Sequence, residues 1–275
     1  MTVGARIAAL LALLLLPALS AAETPRQMQL RSDLMGWEAV GRVDVAGNGY
    51  CTGVLVADDL VLTAAHCLFF RDTGAPVPPG DIVFRAGYMN GRALAERRVD
   101  RVAMPDAYEP STDGSIRGDM VRHDVALMRL SQPIDASTAD PFRVHVDPRP
   151  GDEVSVVSYG QGRSEAPARQ RSCQLLDEAP GIMVFDCDVT YGSSGAPVFV
   201  RYGTRARILA LVSSMGGPGD GPARSFGAPL AEVVPELRRR LRHGDAPVAG
   251  PSPGARRITV GSAPPRVGGA RFVRP

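Results

Sequence analysis

The chain has 275 residues, 44% of them hydrophobic, and its 31 basic and 29 acidic residues give a formal net charge of +2 at pH 7. This size suffices for one large core or two small ones, and the 30 glycines and 24 prolines favour many short elements over long helices. Without its apolar start and the residues after 243, the chain is nearly neutral, which gives no electrostatic support for binding nucleic acid.

Residues 1–22 have the pattern of a secretory signal peptide. Arg6 supplies a positive start, Ile7 to Leu16 form an apolar block, and Ser20 and Ala22 are small residues before a cleavage point after Ala22. The apolar block is short for a membrane span, although a retained N-terminal anchor is the alternative. We therefore expect a secreted or periplasmic protein that does not contact a membrane once the signal is removed.

The sequence from Val40 to about Leu230 alternates short strand-like runs with turn residues. These runs are VGRVDVAG, GVLVADDLVLTAAHC, DIVFRAG, DEVSVVSYG, APVFVRYG and RILALVSS. Their spacing predicts an all-β fold of barrel or sandwich type. The block 105–118, rich in Pro, Asp, Ser and Gly, is predicted to be a long surface loop between two halves.

The C-terminal part of the chain contains one helix candidate, from Ala231 to Arg242. Its apolar residues Val233, Val234, Leu237 and Leu241 fall on one helical face, and arginines occupy the other. The residues that follow, 244–275, are rich in Gly, Pro and Arg and predict a disordered tail.

Four cysteines, Cys51, Cys67, Cys173 and Cys187, are expected in a compartment where disulfides persist. Four cysteines allow three connectivities, and the pairs that are close in sequence, Cys51 with Cys67 and Cys173 with Cys187, would each close one short loop. A metal site is the competing interpretation. No CxxC or HxxxH spacing accompanies these cysteines, so we expect no metal.

Three short segments carry the residue types of nucleophilic catalysis. LVLTAAHCLFF places His66 at the end of an apolar strand, among small residues that would let a base approach a nucleophile. HDVALMRL presents Asp124, which could accept the Nδ1 proton of a histidine and fix its tautomer. YGSSGAPV contains two adjacent serines, Ser193 and Ser194. Individually, the histidine could be a core residue and the aspartate a salt-bridge partner.

Together, TAAHC, HDVAL and GSSGAP resemble the three motif regions of chymotrypsin-like or trypsin-like serine endopeptidases, in that family's order of histidine, aspartate and serine. The resemblance implies two six-stranded antiparallel β-barrels followed by a C-terminal α-helix. It also implies a protease domain over 37–243, divided near 105–118, with 23–36 as an N-terminal extension or short pro-segment. The catalytic residues it implies are His66, Asp124 and Ser194.

The nucleophile motif departs from the family pattern GDSGGP at Ser193 and Ala196. The resemblance still makes Ser194 the nucleophile and the amides of Gly192 and Ser194 the oxyanion hole. Ser193 replaces the aspartate that pairs with a newly cut N-terminal ammonium in animal trypsins, and a serine cannot form that charge pair. In this respect the sequence resembles the bacterial secreted branch that includes glutamyl endopeptidases.

The same resemblance predicts the substrate-binding residues. ILALVSSMGG is similar to the family strand in which a serine, here Ser213, supports the aspartate, and Ser214, Met215 and Gly216 then line the substrate path. An ordinary edge strand with a glycine turn is the alternative. Asp188, six positions before the nucleophile, would form the floor of the specificity pocket and favour Arg or Lys before the cut bond, with small or acidic side chains as the other possibility.

The sequence thus predicts a monomeric serine endopeptidase that acts on protein or peptide substrates without a cofactor. A catalytically idle binding module with the same fold is the alternative function. An α/β-hydrolase esterase is excluded, because it would need the order serine, aspartate, histidine and a GxSxG turn, and neither is present.

Overall fold

The computed structural model describes residues 23–113, 115–147, 149–216 and 224–243, so the predicted signal peptide and tail lie outside the described residues. The strands of the first half are β1 (Arg26–Gln27), β2 (Val40–Val45), β3 (Gly49–Ala57), β4 (Leu60–Thr63), β5 (Ile82–Ala86), β6 (Ala95–Ala103) and β7 (Ala126–Leu130). Those of the second half are β8 (Glu153–Ser158), β9 (Ala168–Ala179), β10 (Ile182–Phe185), β11 (Pro197–Tyr202), β12 (Arg205–Gly216) and β13 (Arg224–Pro229). The helix α1 spans Val233–His243, and none of the described helices is long and apolar enough to cross a membrane.

The first barrel closes in the antiparallel order β2-β3-β4-β7-β6-β5. Strand β5 shows the alternation that creates its interior, since Ile82, Phe84 and Ala86 are buried while the side chains between them are partly exposed. At Gly41 in β2, an added Cβ would lie 2.5 Å from the ring of Phe84, so glycine is required for this ring to fill the barrel.

The second barrel closes in the order β8-β9-β10-β13-β12-β11, because β8 pairs with both β9 and β11. The two-residue strand β1 adds to β9 outside this ring, with Arg26 opposite Arg169. Met28 and Leu34, in the same N-terminal stretch, are buried. The predicted all-β fold of two six-stranded antiparallel barrels with a C-terminal helix is confirmed.

The predicted boundary between the barrels at 105–118 is wrong. That loop lies within the first barrel, because β7 follows it and returns to pair with β4 and β6. The chain crosses to the second barrel over 131–152 instead. The composition of this segment predicts an irregular loop, but it does not reveal which strands the segment after the loop pairs with.

Helix α1 packs against the first barrel, although it follows the last strand of the second. Val234, Leu237 and Leu241 are buried in the same apolar cluster as the first-barrel core, as predicted from their spacing. On another side of the helix, Arg240 pairs with Glu236 and with Asp106 of the first barrel. The helix therefore packs the last described residues, which follow the second barrel, against the first barrel.

Both predicted disulfides are present. Cys51 in β3 bonds to Cys67 in the short 3₁₀ helix Ala65–Leu68, and Cys173 in β9 bonds to Cys187 just after β10. Each bridge closes a loop of about 15 residues, which in the chain-entropy picture destabilises the unfolded state by about 3 kcal/mol.

Candidate active site

The carboxylate of Asp124 lies between the barrels and is fully buried. It follows the 3₁₀ helix Gly118–His123 and accepts the backbone N–H of His66 at 2.8 Å and the imidazole Nδ1–H of the same residue at 2.7 Å. From the second barrel, the Ser213 hydroxyl donates to the same carboxylate at 2.5 Å. Three donors thus satisfy a buried charge that would otherwise be very costly.

The two contacts to Asp124 fix both the backbone and the ring of His66. The side chain is 20% exposed and faces a cavity of about 640 Å³ that Ser194 also lines. Among the hydrogen bonds of the described residues, none joins the His66 ring to the Ser194 hydroxyl. Contacts of this kind are often long before a substrate binds.

The turn that carries Ser194 lies between β10 and β11 and requires glycine on both sides. Gly192 and Gly195 have φ angles of 88° and 75°. An added Cβ at Gly192 would lie 2.4 Å from the Tyr159 carbonyl oxygen, and one at Gly195 would lie 2.4 Å from the Thr52 carbonyl oxygen. The turn therefore lies directly against the backbone of the first barrel at Thr52 and against the backbone that follows β8 of the second barrel at Tyr159.

The amides of Gly192 and Ser194 are the predicted oxyanion donors. Within the described part of the chain, neither N–H has a hydrogen-bond acceptor, whereas the intervening Ser193 amide donates to the Thr190 carbonyl and the Gly195 amide donates to the Val212 carbonyl. The turn thus presents two unpaired backbone donors, separated by a peptide group that is held in place.

Ser193, the first serine of the pair, is fully buried. Its hydroxyl donates to the Ser158 hydroxyl at 3.0 Å and accepts the Thr190 amide at 3.3 Å. These partners are all neutral. At the position of the aspartate in the GDSGGP motif, the buried Ser193 hydroxyl therefore has its hydrogen bonds with neutral groups and needs no ion pair.

Thr52, which the sequence analysis did not single out, connects the first barrel to the nucleophile turn. Its hydroxyl donates to the Gly192 carbonyl at 2.9 Å and accepts the Tyr159 amide at 3.0 Å, while its own amide donates to the Ser194 carbonyl at 2.9 Å. A polar residue inside the apolar run of β3, next to Cys51, was the available signal.

The segment from Ser213 to Met215 forms one wall of the site, whereas the predicted Gly216 does not line it. A register shift between Val212 and Ser214 marks a bulge at Ser213, and this bulge accompanies the contact of its hydroxyl with Asp124. Ser214 and Met215 line the cavity, while Gly216 pairs with Arg224 outside the described lining. Strand β12 pairs with β11 as far as Leu211. After Leu211, no other described strand pairs with that edge of β12.

Asp188 does not occupy the floor of the cavity, contrary to the prediction. The side chain is exposed, and its backbone N–H donates to the buried amide oxygen of Gln170 at 2.8 Å. Val189 and Thr190 line the cavity instead. Asp188 follows Cys187 directly, so the disulfide and the Gln170 contact fix its backbone, and its exposed side chain is not among the described lining residues.

Tyr108, from the loop between β6 and β7, covers the side of the cavity near Asp124. Burial, and secondarily the negative charge of Asp124, raise the pKa of the Tyr108 phenol above its usual value. The ring packs against Phe69 at a centroid distance of 5.6 Å. Tyr108 and Phe69 thus place an aromatic pair in the lining of the cavity, with the phenol near the buried carboxylate.

The two closed barrels, with Asp124, His66 and Ser194 where they meet, define the class of double-barrel peptidases. The chain belongs to the trypsin-like peptidase family, since residues 51–205 match the family model described as the trypsin-like peptidase domain.

Individual relatives agree with this assignment. Serine protease 23 of Bos taurus is 30% identical over 173 residues, which cover 55% of this chain and 44% of that protein, so the chain spans less than half the length of this curated relative. A solved structure of a Glu endopeptidase, 15% identical, has a TM-score of 0.65 and covers 80% of this chain and 97% of its own. The protease Anisep from Arthrobacter nicotinovorans, 18% identical, has a TM-score of 0.56 and covers 78% and 95%.

Replacing Thr52 by valine is expected to destabilise the fold, because the Gly192 carbonyl and the Tyr159 amide would both lose their partner. Leaving such buried groups unpaired costs about 1–3 kcal/mol each. Thr52→Ser keeps the hydroxyl and should lose only the methyl group, about 1 kcal/mol. Urea unfolding of the two variants measures the difference. A Thr52→Val protein as stable as the wild type would show that the hydroxyl bridge contributes nothing to stability.

Proposed function

We propose that the protein is a serine endopeptidase in which His66, Asp124 and Ser194 act together. The Ser194 hydroxyl oxygen attacks the carbonyl carbon of a peptide bond while His66 Nε2 takes its proton. His66 then returns the proton to the leaving amine, and water hydrolyses the acyl-enzyme by the same route. The observation that carries the proposal is the fully buried Asp124 carboxylate that accepts both the backbone N–H and the Nδ1–H of His66.

Further contacts support the roles of the neighbouring residues. The unpaired amides of Gly192 and Ser194 would donate to the oxyanion of the tetrahedral intermediate, which forms next to the attacking oxygen. Ser213 would orient Asp124 through the hydrogen bond between them. The free edge of β12 at Ser214 and Met215 would pair with the backbone of an extended substrate.

The compartment is part of the same proposal. The two disulfides favour an oxidising environment, and the signal-like residues 1–22 would direct export from the cell.

One prediction concerns the catalytic residues. Single replacement of His66, Asp124 or Ser194 by alanine should lower kcat/KM by at least about a thousand-fold, because members of such a group act as a unit. Ser193→Ala should have a much smaller effect, since the Ser193 hydroxyl has only neutral structural partners. The measurement is cleavage of a peptide library followed by mass spectrometry, with kcat/KM determined on the best substrate.

Labelling with a fluorophosphonate distinguishes the peptidase from an idle binding module with the same fold. An activated serine reacts with this reagent, so the folded wild-type protein should be labelled and Ser194→Ala should not. Absence of label on the folded wild type, or full peptidase activity of Ser194→Ala, would refute the proposed function.

Activity is expected not to require one particular N-terminus. Ser193 carries no charge to pair with a new ammonium group, so proteins that begin at Ala21, Glu23 or Pro25 should have kcat/KM values within about two-fold of one another. Each of these chains keeps β1 and the buried Met28. A large gain in activity for a single start position would show that another carboxylate receives the ammonium.

Asp188 is expected not to determine specificity. The preference for Arg or Lys that the sequence suggested would require this carboxylate inside the cavity, and the side chain lies outside its described lining. The relative kcat/KM values for matched peptides with Arg, Ala, Phe or Glu before the cut bond should therefore be the same in Asp188→Ser and wild type. A selective loss of Arg cleavage of about ten-fold or more would restore Asp188 to the pocket.

A further inference from the structure

A second cavity, of about 590 Å³, lies away from the catalytic one, between the interbarrel segment 142–146 and α1. The two cavities share no described lining residue. We call this second cavity the arginine groove, because four arginines line it: Arg143, Arg238, Arg239 and Arg242.

Three of the four arginines that line the arginine groove belong to one face of α1. Pro235, Arg238, Arg239 and Arg242 follow the spacing i, i+3, i+4, i+7 and so form one stripe along the helix, separate from the buried stripe that packs on the first barrel. Arg240 lies on another side and is paired with Glu236 and Asp106. Arg240, whose charge is neutralised by acidic partners, is thus not one of the arginines that line the groove.

No described acidic residue compensates the charge of the arginine groove. No acidic residue is among its described lining, and within the described ranges none of its four arginines forms a salt bridge. One of them, Arg238, is half-buried and donates to the Val56 carbonyl at 3.0 Å, so its position is fixed. A cluster of like charges next to apolar surface favours an anionic partner.

The other side of the groove offers an open backbone edge. Segment 143–145 forms a single parallel bridge with β12, in which the His145 amide donates to the Ile208 carbonyl and the Ile208 amide donates to the Arg143 carbonyl. In a strand, successive amides point to opposite sides, so the N–H and C=O of Val144 point away from β12. Neither group has a partner among the described residues.

The floor and rim of the groove are apolar between these polar features. Val144 and Val234 line it, and Val146 at its end is 69% exposed. An exposed apolar side chain beside a free strand edge suits a protein ligand better than a phosphate backbone, which offers neither β-type hydrogen bonds nor an apolar side chain.

We propose that the arginine groove binds an extended acidic segment of a partner protein, with backbone pairing at Val144, carboxylates on the four arginines and an apolar side chain on the floor. The helix of 11 residues is about 16 Å long, and about five extended residues span this length. The chain's own residues 244–275 are a poor occupant, because they carry five arginines and a single acidic residue, Asp245.

The test is a fluorescence anisotropy titration of the full chain carrying Ser194→Ala, so that the probe is not cleaved. The probe is a labelled twelve-residue peptide of alternating Glu and Val. The double variant Arg239→Glu with Arg242→Glu should weaken binding by at least about ten-fold, because it reverses two exposed charges that face the ligand.

The matched control is Arg92→Glu with Arg201→Glu, two exposed arginines outside both cavities and without an ion pair in the described ranges. The control should change the Kd by less than about two-fold, because distant exposed charges are screened.

Two altered probes separate peptide recognition from general attraction of anions. A peptide N-methylated at alternate residues keeps its charge but loses backbone donors, and should bind more weakly than the parent. A DNA duplex of equal charge should bind more weakly than the parent as well. The proposal is overturned if the groove variant binds the parent like wild type, if the control variant loses as much affinity, or if N-methylated peptide or DNA binds as tightly as the parent.

Discussion

The site depends on one interaction, the burial of the Asp124 carboxylate where the two barrels meet. Asp124 receives two hydrogen bonds from His66 of its own barrel and one from Ser213 of the other. Removing a charge from water is costly unless hydrogen bonds replace its hydration. Ser213 can donate the third hydrogen bond only when the two barrels are docked. The docking of the barrels and the orientation of the His66 imidazole therefore depend on each other through the Asp124 carboxylate.

Close backbone contact, across the boundary at Gly195 and within the second barrel at Gly192, explains why the nucleophile turn needs its glycines. The turn lies against the carbonyl groups of Thr52 and Tyr159 so tightly that a Cβ at Gly195 or Gly192 would overlap them. In place of a charge pair, neutral groups hold the turn: the Thr52 hydroxyl on one side and Ser193 with its partners on the other. The oxyanion donors are thus positioned by packing and hydrogen bonds that do not vary with the ionisation of an N-terminus.

Local patterns predicted many of the strands and the helix, because these depend on periodicity. The short separations of the cysteines favoured the two disulfides that are present, and the family resemblance implied that His66 and Ser213 contact Asp124. Two features were beyond such patterns. The boundary of the barrels depends on the long-range pairing of β7 with β4 and β6, which the composition of the preceding loop does not encode. The exclusion of Asp188 from the cavity lining goes with the Gln170 contact and the neighbouring disulfide, which fix its backbone, and does not follow from its distance from Ser194 along the chain.

The position of α1 has a consequence for how the molecule is made. The apolar face of this helix completes the core cluster of the first barrel, and Arg240 reaches Asp106 in the loop that follows β6. During synthesis the residues of the first barrel emerge long before the helix does. Until residue 243 is available, the surface of β6 and β7 that α1 covers remains exposed to solvent. Completion of the first barrel is therefore expected to be a late step in folding, and a chain cut within 131–152 should not yield two independently stable halves.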